Sequence, residues 1–209
     1  MILKAKHNWF IYNFFKGYTL WRVRRQFKPV KLLGEFHDKQ MPVLLLSNHI
    51  SWWDGFWALY INLKILKRKF HFMMLEDQLR KYWFFKYAGG FSVNKKSRSS
   101  LETLEYAADL LTDPKNMVLL FPQGEIESIY SRNFRFEKGL ERIIKAKENN
   151  IQCLFLAFFI DYFSNPKPGI YCYLEEYDNP GFNATTIQNH YIEFYNRCLD
   201  KQVKLKDIQ

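Results

Sequence analysis

Long apolar runs are missing from this 209-residue chain. No stretch of about 18 uninterrupted apolar residues occurs, so a membrane-spanning helix is not expected. A cleavable signal is not expected either: Asn8, Asn13 and Lys16 interrupt the first apolar stretch, and no small-residue cleavage site follows. Cysteine is scarce and scattered. Cys153, Cys172 and Cys198 form no CxxC pair and no Cys/His cluster, which argues against a zinc site or a redox couple. They read as reduced thiols of a cytoplasmic protein. Acidic residues are in deficit, 21 against 31 Lys and Arg, leaving a net charge of +10. A field of that sign draws anionic partners: nucleic acid, lipid headgroups, an acidic carrier protein or a phosphorylated metabolite. The basic residues are spread out and form no nucleic-acid recognition module, so no nucleic-acid partner is expected. Repeats, low-complexity tracts and linkers are absent too, and the length suits one domain.

What the chain has in excess is aromatic rings, 19% of its residues, enough either to fill a core or to coat a surface that meets lipid. Trp9 to Arg25 mixes Trp, Phe and Tyr with Lys16, Arg22, Arg24 and Arg25, and Lys28 and Lys31 follow. That is the composition of an amphipathic helix lying among lipid headgroups, with rings sunk and cations turned toward phosphates. Residues 1–30 therefore read as a membrane-interface segment, and 31–209 as the main domain. The alternative is a terminal helix that packs its rings on the domain's own core. Gly17 weakens the helix and puts its continuity in question.

From Pro42 onward, short apolar runs alternate with longer amphipathic ones. Strands are expected at Val43–Ser47, Phe70–Leu75, Phe91–Val93, Met117–Phe121, Ile151–Ile160 and Ile170–Leu174. Helices are expected at Ser51–Leu66, Glu76–Ala88, Ser99–Leu111, Phe136–Asn149 and from about Thr185, with Ser99-x-x-Glu102 as a capping box. Such alternation implies an α/β sandwich with a largely parallel central sheet flanked by helices.

Three strand ends carry polar residues suited to chemistry. Ser47-Asn48-His49-Ile50-Ser51-Trp52-Trp53-Asp54 follows a buried strand and opens a helix. It therefore lies at the carboxyl edge of the sheet, where open α/β sheets bind their ligands. A histidine there can take a proton from a hydroxyl while a carboxylate holds its other nitrogen. The spacing alone is common, and Ser51-x-x-Asp54 is also a capping box, so Asp54 has a structural reading beside the catalytic one. Phe121-Pro122-Gln123-Gly124-Glu125 is a second strand-end turn. Gly89 to Lys96 is a third, ending in Asn94, Lys95 and Lys96. The other histidines, His7, His37, His71 and His190, have no such setting and read as structural or surface residues. No ligand cluster for a metal is present.

Together and in this order, the three segments resemble the glycerolipid acyltransferase family that includes 1-acyl-sn-glycerol-3-phosphate acyltransferases. Asn48, His49 and Asp54 match its His-x4-Asp block, Gly89–Lys95 its Gly-x-x-x-Ile-Asp-Arg block, and Phe121–Glu125 its Phe-Pro-Glu-Gly-Thr-Arg block. Phe136-x-Lys138-Gly139 is similar to the element that follows. The resemblance covers roughly residues 40 to 160. It implies acyl transfer from acyl-CoA or acyl-carrier protein to a hydroxyl of a lysolipid, at the cytoplasmic face of the membrane. His49 would be the general base, oriented by Asp54, with no resident cofactor. Lys95 would hold an anionic headgroup, with Asn94, Pro122, Gln123, Gly124 and Glu125 lining the acceptor side. Lys96, Arg98, Arg132 and Arg135 are further cations. Backbone N–H groups around Gly124, or just after Ile50, are the candidate oxyanion donors.

The sequence departs from the family on the acceptor side. Gln123 stands where Glu is usual, Ile126 where a phosphate-contacting Arg is usual, and Asn94 and Lys95 replace Asp and Arg. Glu125 lies two positions beyond the lost carboxylate. Acyl transfer is expected to survive these changes, whereas the acceptor need not be lysophosphatidate. Two other readings share the fold: a non-catalytic lipid- or carrier-binding protein, and a thioesterase that uses water as acceptor.

Overall fold

The computed structural model describes residues 2–95, 97, 99–145, 151–178 and 183–206. Helix α1 spans Trp9–Gln26 and is followed by β1 (Val30–Leu33), β2 (Val43–Ser47) and α2 (Asp54–Ile61). Next come β3 (Lys69–Leu75), α3 (Glu76–Lys81), a 3-10 segment (Trp83–Ala88) and β4 (Gly90–Val93). The chain continues through α4 (Ser99–Leu110), β5 (Asn116–Leu120), α5 (Leu140–Lys145), β6 (Gln152–Asp161), β7 (Gly169–Glu176) and α6 (Ala184–Val203).

The strands form one seven-stranded sheet in the order β1-β7-β6-β2-β5-β3-β4. β2 to β6 all run parallel, while β7 is antiparallel to β6 and β1 is parallel to β7. The α/β sandwich expected from the alternation of elements is therefore present. β2 sits in the middle, and all five of its residues are buried. Its side chains alternate between two cores, as a strand requires. Leu44 and Leu46 join Val118, Leu120, Phe155, Tyr191 and Phe194 on one face. Val43 and Leu45 join Met117, Leu119, Leu156, Trp57 and Val23 on the other. Covering both faces is what makes a continuous apolar run, rather than an alternating one, the correct sequence for this strand.

α1 is one unbroken helix despite Gly17. Asn8 caps it, its Oδ1 accepting from Phe10 and Ile11 N–H at 3.0 and 3.2 Å. Thr19 and Val23 are buried beneath it, and that packing offsets the roughly 1 kcal/mol that a mid-helix glycine costs. The stretch before α1 and the helix's first turn are tied to β3. His7 Nε2 lies 3.0 Å from the Phe70 carbonyl, Tyr12 Oη accepts from Phe70 N–H at 3.1 Å, and His71 meets His7 edge-on. Burial holds His7 down at about 4 and His71 at about 3, so both rings are neutral packing groups. No helix among the described residues is long and apolar enough to cross a membrane.

Several element boundaries differ from expectation. The helix expected over 51–66 begins only at Asp54 and widens into a π-helical turn at Asn62–Leu66. There Asn62 clamps the chain, donating to the Arg68 carbonyl at 2.8 Å and accepting from Arg68 N–H at 2.9 Å. The stretch expected to be helical over 76–88 breaks at Tyr82 into α3 and the 3-10 segment. α4 begins at Ser99 itself, with Glu102 in its first turn. Of the helix expected over 136–149, the described part is α5 from Leu140 to Lys145, with 136–139 outside it; residues 146–150, together with Lys96 and Arg98, lie outside the described residues. Strand β1 has no counterpart in the apolar pattern, because its four residues alternate weakly at a sheet edge.

Candidate active site

The site begins where β2 ends. Past Ser47 the backbone leaves the sheet, and the buried Asn48 side chain takes over the ladder. Its Nδ2 donates to the Phe158 carbonyl at 3.1 Å, and its Oδ1 accepts from Phe158 N–H at 2.9 Å. His49 is thereby launched from a fixed point at the carboxyl edge.

Asp54, at the start of α2, is fully buried and turned back toward that loop. Its Oδ2 lies 2.8 Å from His49 Nδ1 and accepts from Ile50 and Ser51 N–H at 2.7 and 2.9 Å. The structural and catalytic readings of Asp54 are thus one arrangement: the carboxylate that organises the helix start also faces the imidazole. Burial pushes the Asp54 carboxyl up from the ordinary range, and its N–H donors pull it the other way. An oxygen that already accepts two backbone protons acts as an acceptor toward Nδ1 as well. The ring proton then sits on Nδ1 and the Nε2 lone pair is left outward. The His49 side chain is 24% exposed, enough for a substrate to reach that nitrogen.

The loop after β5 closes over His49 from the other side. The Gln123 Oε1 accepts from His49 N–H at 2.7 Å, and Glu127 N–H donates to the His49 carbonyl at 2.8 Å. Gln123 is only 4% exposed, so its contact is with the His49 backbone. Pro122 is buried, and its carbonyl accepts from Glu137 N–H at 2.7 Å. Gly124 takes φ +74°, a conformation that favours glycine, and a Cβ there would stand 2.5 Å from Lys95 Nζ and push that side chain aside. Lys95 Nζ donates to the Gly124 carbonyl at 2.9 Å and to Glu137 Oε1 at 2.6 Å. Asn94 Nδ2 donates to Glu76 Oε2 at 3.2 Å, away from that loop. Glu125 and Ile126 lie on the exposed rim.

His49, Asp54, Lys95, Pro122, Gln123 and Gly124 thus meet at one edge. Of the N–H groups expected to serve an oxyanion, Ser51 donates to Asp54, Trp53 to the Ser51 hydroxyl at 2.9 Å, and Gly124 to the Phe121 carbonyl at 3.0 Å. Arg132, a candidate cation, is paired with Asp200 at 3.1 Å. Two partners escaped the sequence reading. Phe121 stacks on the His49 ring with centroids 4.2 Å apart, and Glu137 pairs with Lys95. Phe121 lay within a recognised block, but only the side-by-side placement of β2 and β5 brings it to His49. Glu137 carries no local signal at all. Among the described residues, no group of three or more His, Cys, Asp or Glu side chains is arranged to hold a metal ion.

Residues 29–156, more than half of the chain, match the protein-family model described as Acyltransferase. No curated protein matches the chain.

Proposed function

The chain belongs to the acyltransferase family, and from that premise we propose that it moves a fatty acyl group from acyl-CoA or acyl-carrier protein to a hydroxyl of a lysophospholipid or related lipid. The observation that carries this reading is the 2.8 Å contact between His49 Nδ1 and the buried Asp54 carboxylate at the mouth of the central strand. His49 Nε2 takes the proton of the acceptor hydroxyl as its oxygen attacks the thioester carbonyl. A C–O bond forms, the C–S bond breaks, and the proton held by His49 passes to the departing thiolate. Asp54 holds the ring and steadies its charge throughout. The scheme needs no resident cofactor beyond the thioester itself.

On the acceptor side, Lys95 is already matched by Glu137, and Ile126 stands where an arginine would meet phosphate. Both features favour an acceptor without a free phosphate group. Asn94, Pro122, Gly124 and Glu125 would border its headgroup, while Gln123 supports the His49 backbone. A cleft lined by Ile129, Tyr130, Ile160, Phe163, Leu199 and Val203, with the polar Asp161 and Gln202 among them, opens at the carboxyl end of β6 and offers apolar surface to an acyl chain.

A membrane partner is supported by an unusual surface. Trp9, Phe10, Phe14 and Trp21 of α1 are each more than half exposed, as are Trp83 and Trp52. Ring contacts run from Trp21 through Tyr18 and Phe56 to Trp52, three residues after His49. Arg25 lies over Trp21, and Arg22 over Trp53. Rings edged with cations suit the headgroup region of an anionic leaflet, such as the cytoplasmic face. The same surface would bring the site to its lipid.

The deciding assay incubates the purified chain with acyl-CoA and mixed lysolipids on vesicles, reading thiol release and lipid masses. Acylated lipid that depends on His49 supports the proposal. Absence of thiol release would leave a binding protein, and free fatty acid as sole product would make it a thioesterase.

A further inference from the structure

Hydrogen bonds account for the edge of the His49 ring but not for its face. Phe121, the first residue beyond β5, lies against that face with centroids 4.2 Å apart and planes 13° apart. Other histidines of the chain meet rings differently. His7 meets Tyr12 edge-on, and His190 meets Tyr177 edge-on. Neutral aromatic pairs are content with edge or offset contacts at about 4.5–7 Å. A close cover over a ring face is where a cation gains most, because the face of the π-system is its negative side. His49 is also the histidine that must become a cation in the proposed reaction.

The placement of Phe121 follows from strand register. Leu46 pairs with Leu120, so β2 and β5 leave the sheet side by side and the next residues of each face one another. The turn is pinned by Gly124 N–H on the Phe121 carbonyl at 3.0 Å. One loop therefore grips His49 at its backbone N–H through Gln123, at its carbonyl through Glu127, and at its ring through Phe121. Asp54 holds Nδ1 from α2, and Nε2 remains for the substrate.

We propose that Phe121 is a positioning residue that fixes the plane of the His49 imidazole and stabilises its protonated form as the acceptor hydroxyl gives up its proton. This rests on the reading of His49 as general base. Of the described charged groups on the elements packed against His49, only the Asp54 carboxylate touches the ring. Asp54 comes from α2, Glu125 and Glu127 come from the loop after β5, and Lys95 reaches that loop from the end of β4. The carboxylates favour the imidazolium and the lysine opposes it. Replacing Phe121 alters none of them, so the difference between variant and wild type reports the ring.

The test is an NMR titration of the His49 imidazole, assigned with a His49→Gln variant, in the wild type, Phe121→Leu and Phe121→Trp. Loss of the ring face should lower the His49 pKa by about half a unit, the shift expected from an exposed cation–π contact. The acid limb of kcat/KM should move to lower pH by the same amount, because the neutral base then survives into more acid solution. In Phe121→Leu kcat should fall several-fold with the KM for the thioester unchanged, and Phe121→Trp should restore both readouts. A Phe121→Leu protein that melts earlier while its His49 pKa stays put would show that Phe121 only packs, and would overturn the proposal. The titration needs no substrate. A wild type without acyl transfer would therefore refute the proposed function, while the shift in pKa decides the role of the ring.

Discussion

The two walls of the site are built by opposite means. On the wall proposed to carry the chemistry, Asp54 is fully buried, one of its oxygens takes donors from His49, Ile50 and Ser51, and Asn48 is locked to β6. On the acceptor wall the main contact is the Lys95–Glu137 pair, whose side chains are 38% and 54% exposed. Breaking a buried charge's partnership typically costs about 3–5 kcal/mol, whereas an exposed pair contributes about 0–1 kcal/mol. On the proposed function, the first wall can hardly change without loss of fold and turnover together. The acceptor wall can change its charge while the scaffold stays intact. Of the departures from the family's blocks, Asn94, Lys95 and Ile126 fall outside the first wall, whereas Gln123 holds the His49 backbone.

Mutations can break or sharpen this contrast. The largest effect belongs to His49→Ala, for which kcat should fall at least about a hundredfold, as loss of a general base typically does. Thiol release within a few-fold of wild type would end the mechanism. Asp54→Asn should come next, with kcat down about tenfold or more and a lower melting temperature, since the amide disturbs both the imidazole and the loop N–H donors. If only the melting temperature moved, Asp54 would be a helix-start residue and nothing more.

Smaller effects are expected across the site. Gly124→Ala forces a left-handed residue and should cost about 1–2 kcal/mol of stability. Because the new Cβ would crowd Lys95, the KM for the acceptor should rise while kcat is roughly kept. Glu137→Gln should be nearly silent in thermal melts, within about 1 kcal/mol. Its mark should be on selectivity: with Lys95 released, a phosphate-bearing lysolipid should gain several-fold in kcat/KM over a phosphate-free one. If Glu137→Gln instead lowered kcat as His49→Ala does, the two walls would not be separable.

Much of the scaffold can be read in the chain. The Val43–Ser47 run is β2 residue for residue, and the later apolar runs all lie within a residue or two of observed strands. Burial on both faces leaves a strong local trace, because every residue of the run must be apolar. β1 leaves almost none: Val30–Leu33 is short, partly exposed, and held by pairing with β7, some 140 positions away (Val30 with Ile170). The start of α2 was misplaced for a different reason. Asp54 turns its carboxylate back onto the Ile50 and Ser51 N–H groups, so residues 51–53 form the turn that precedes the helix rather than its first turn.

By itself the sequence determined which groups exist for chemistry and which element each one ends. The imidazole and carboxylate five positions apart, the turn glycine and the lysine after β4 are all local facts. It also determined that the sheet would be buried on both faces, because composition along a strand answers directly to burial. Only the tertiary structure decided what those groups touch. Strand order puts the end of β2 between β5 and β6, so that Phe121 covers the His49 ring, Gln123 holds its backbone, and Phe158 anchors Asn48. The same order brings Glu137 to Lys95 and quiets the one cation that the acceptor side was expected to use. Contacts between residues tens of positions apart depend on how strands are ordered and registered, and no local pattern of side chains records that choice.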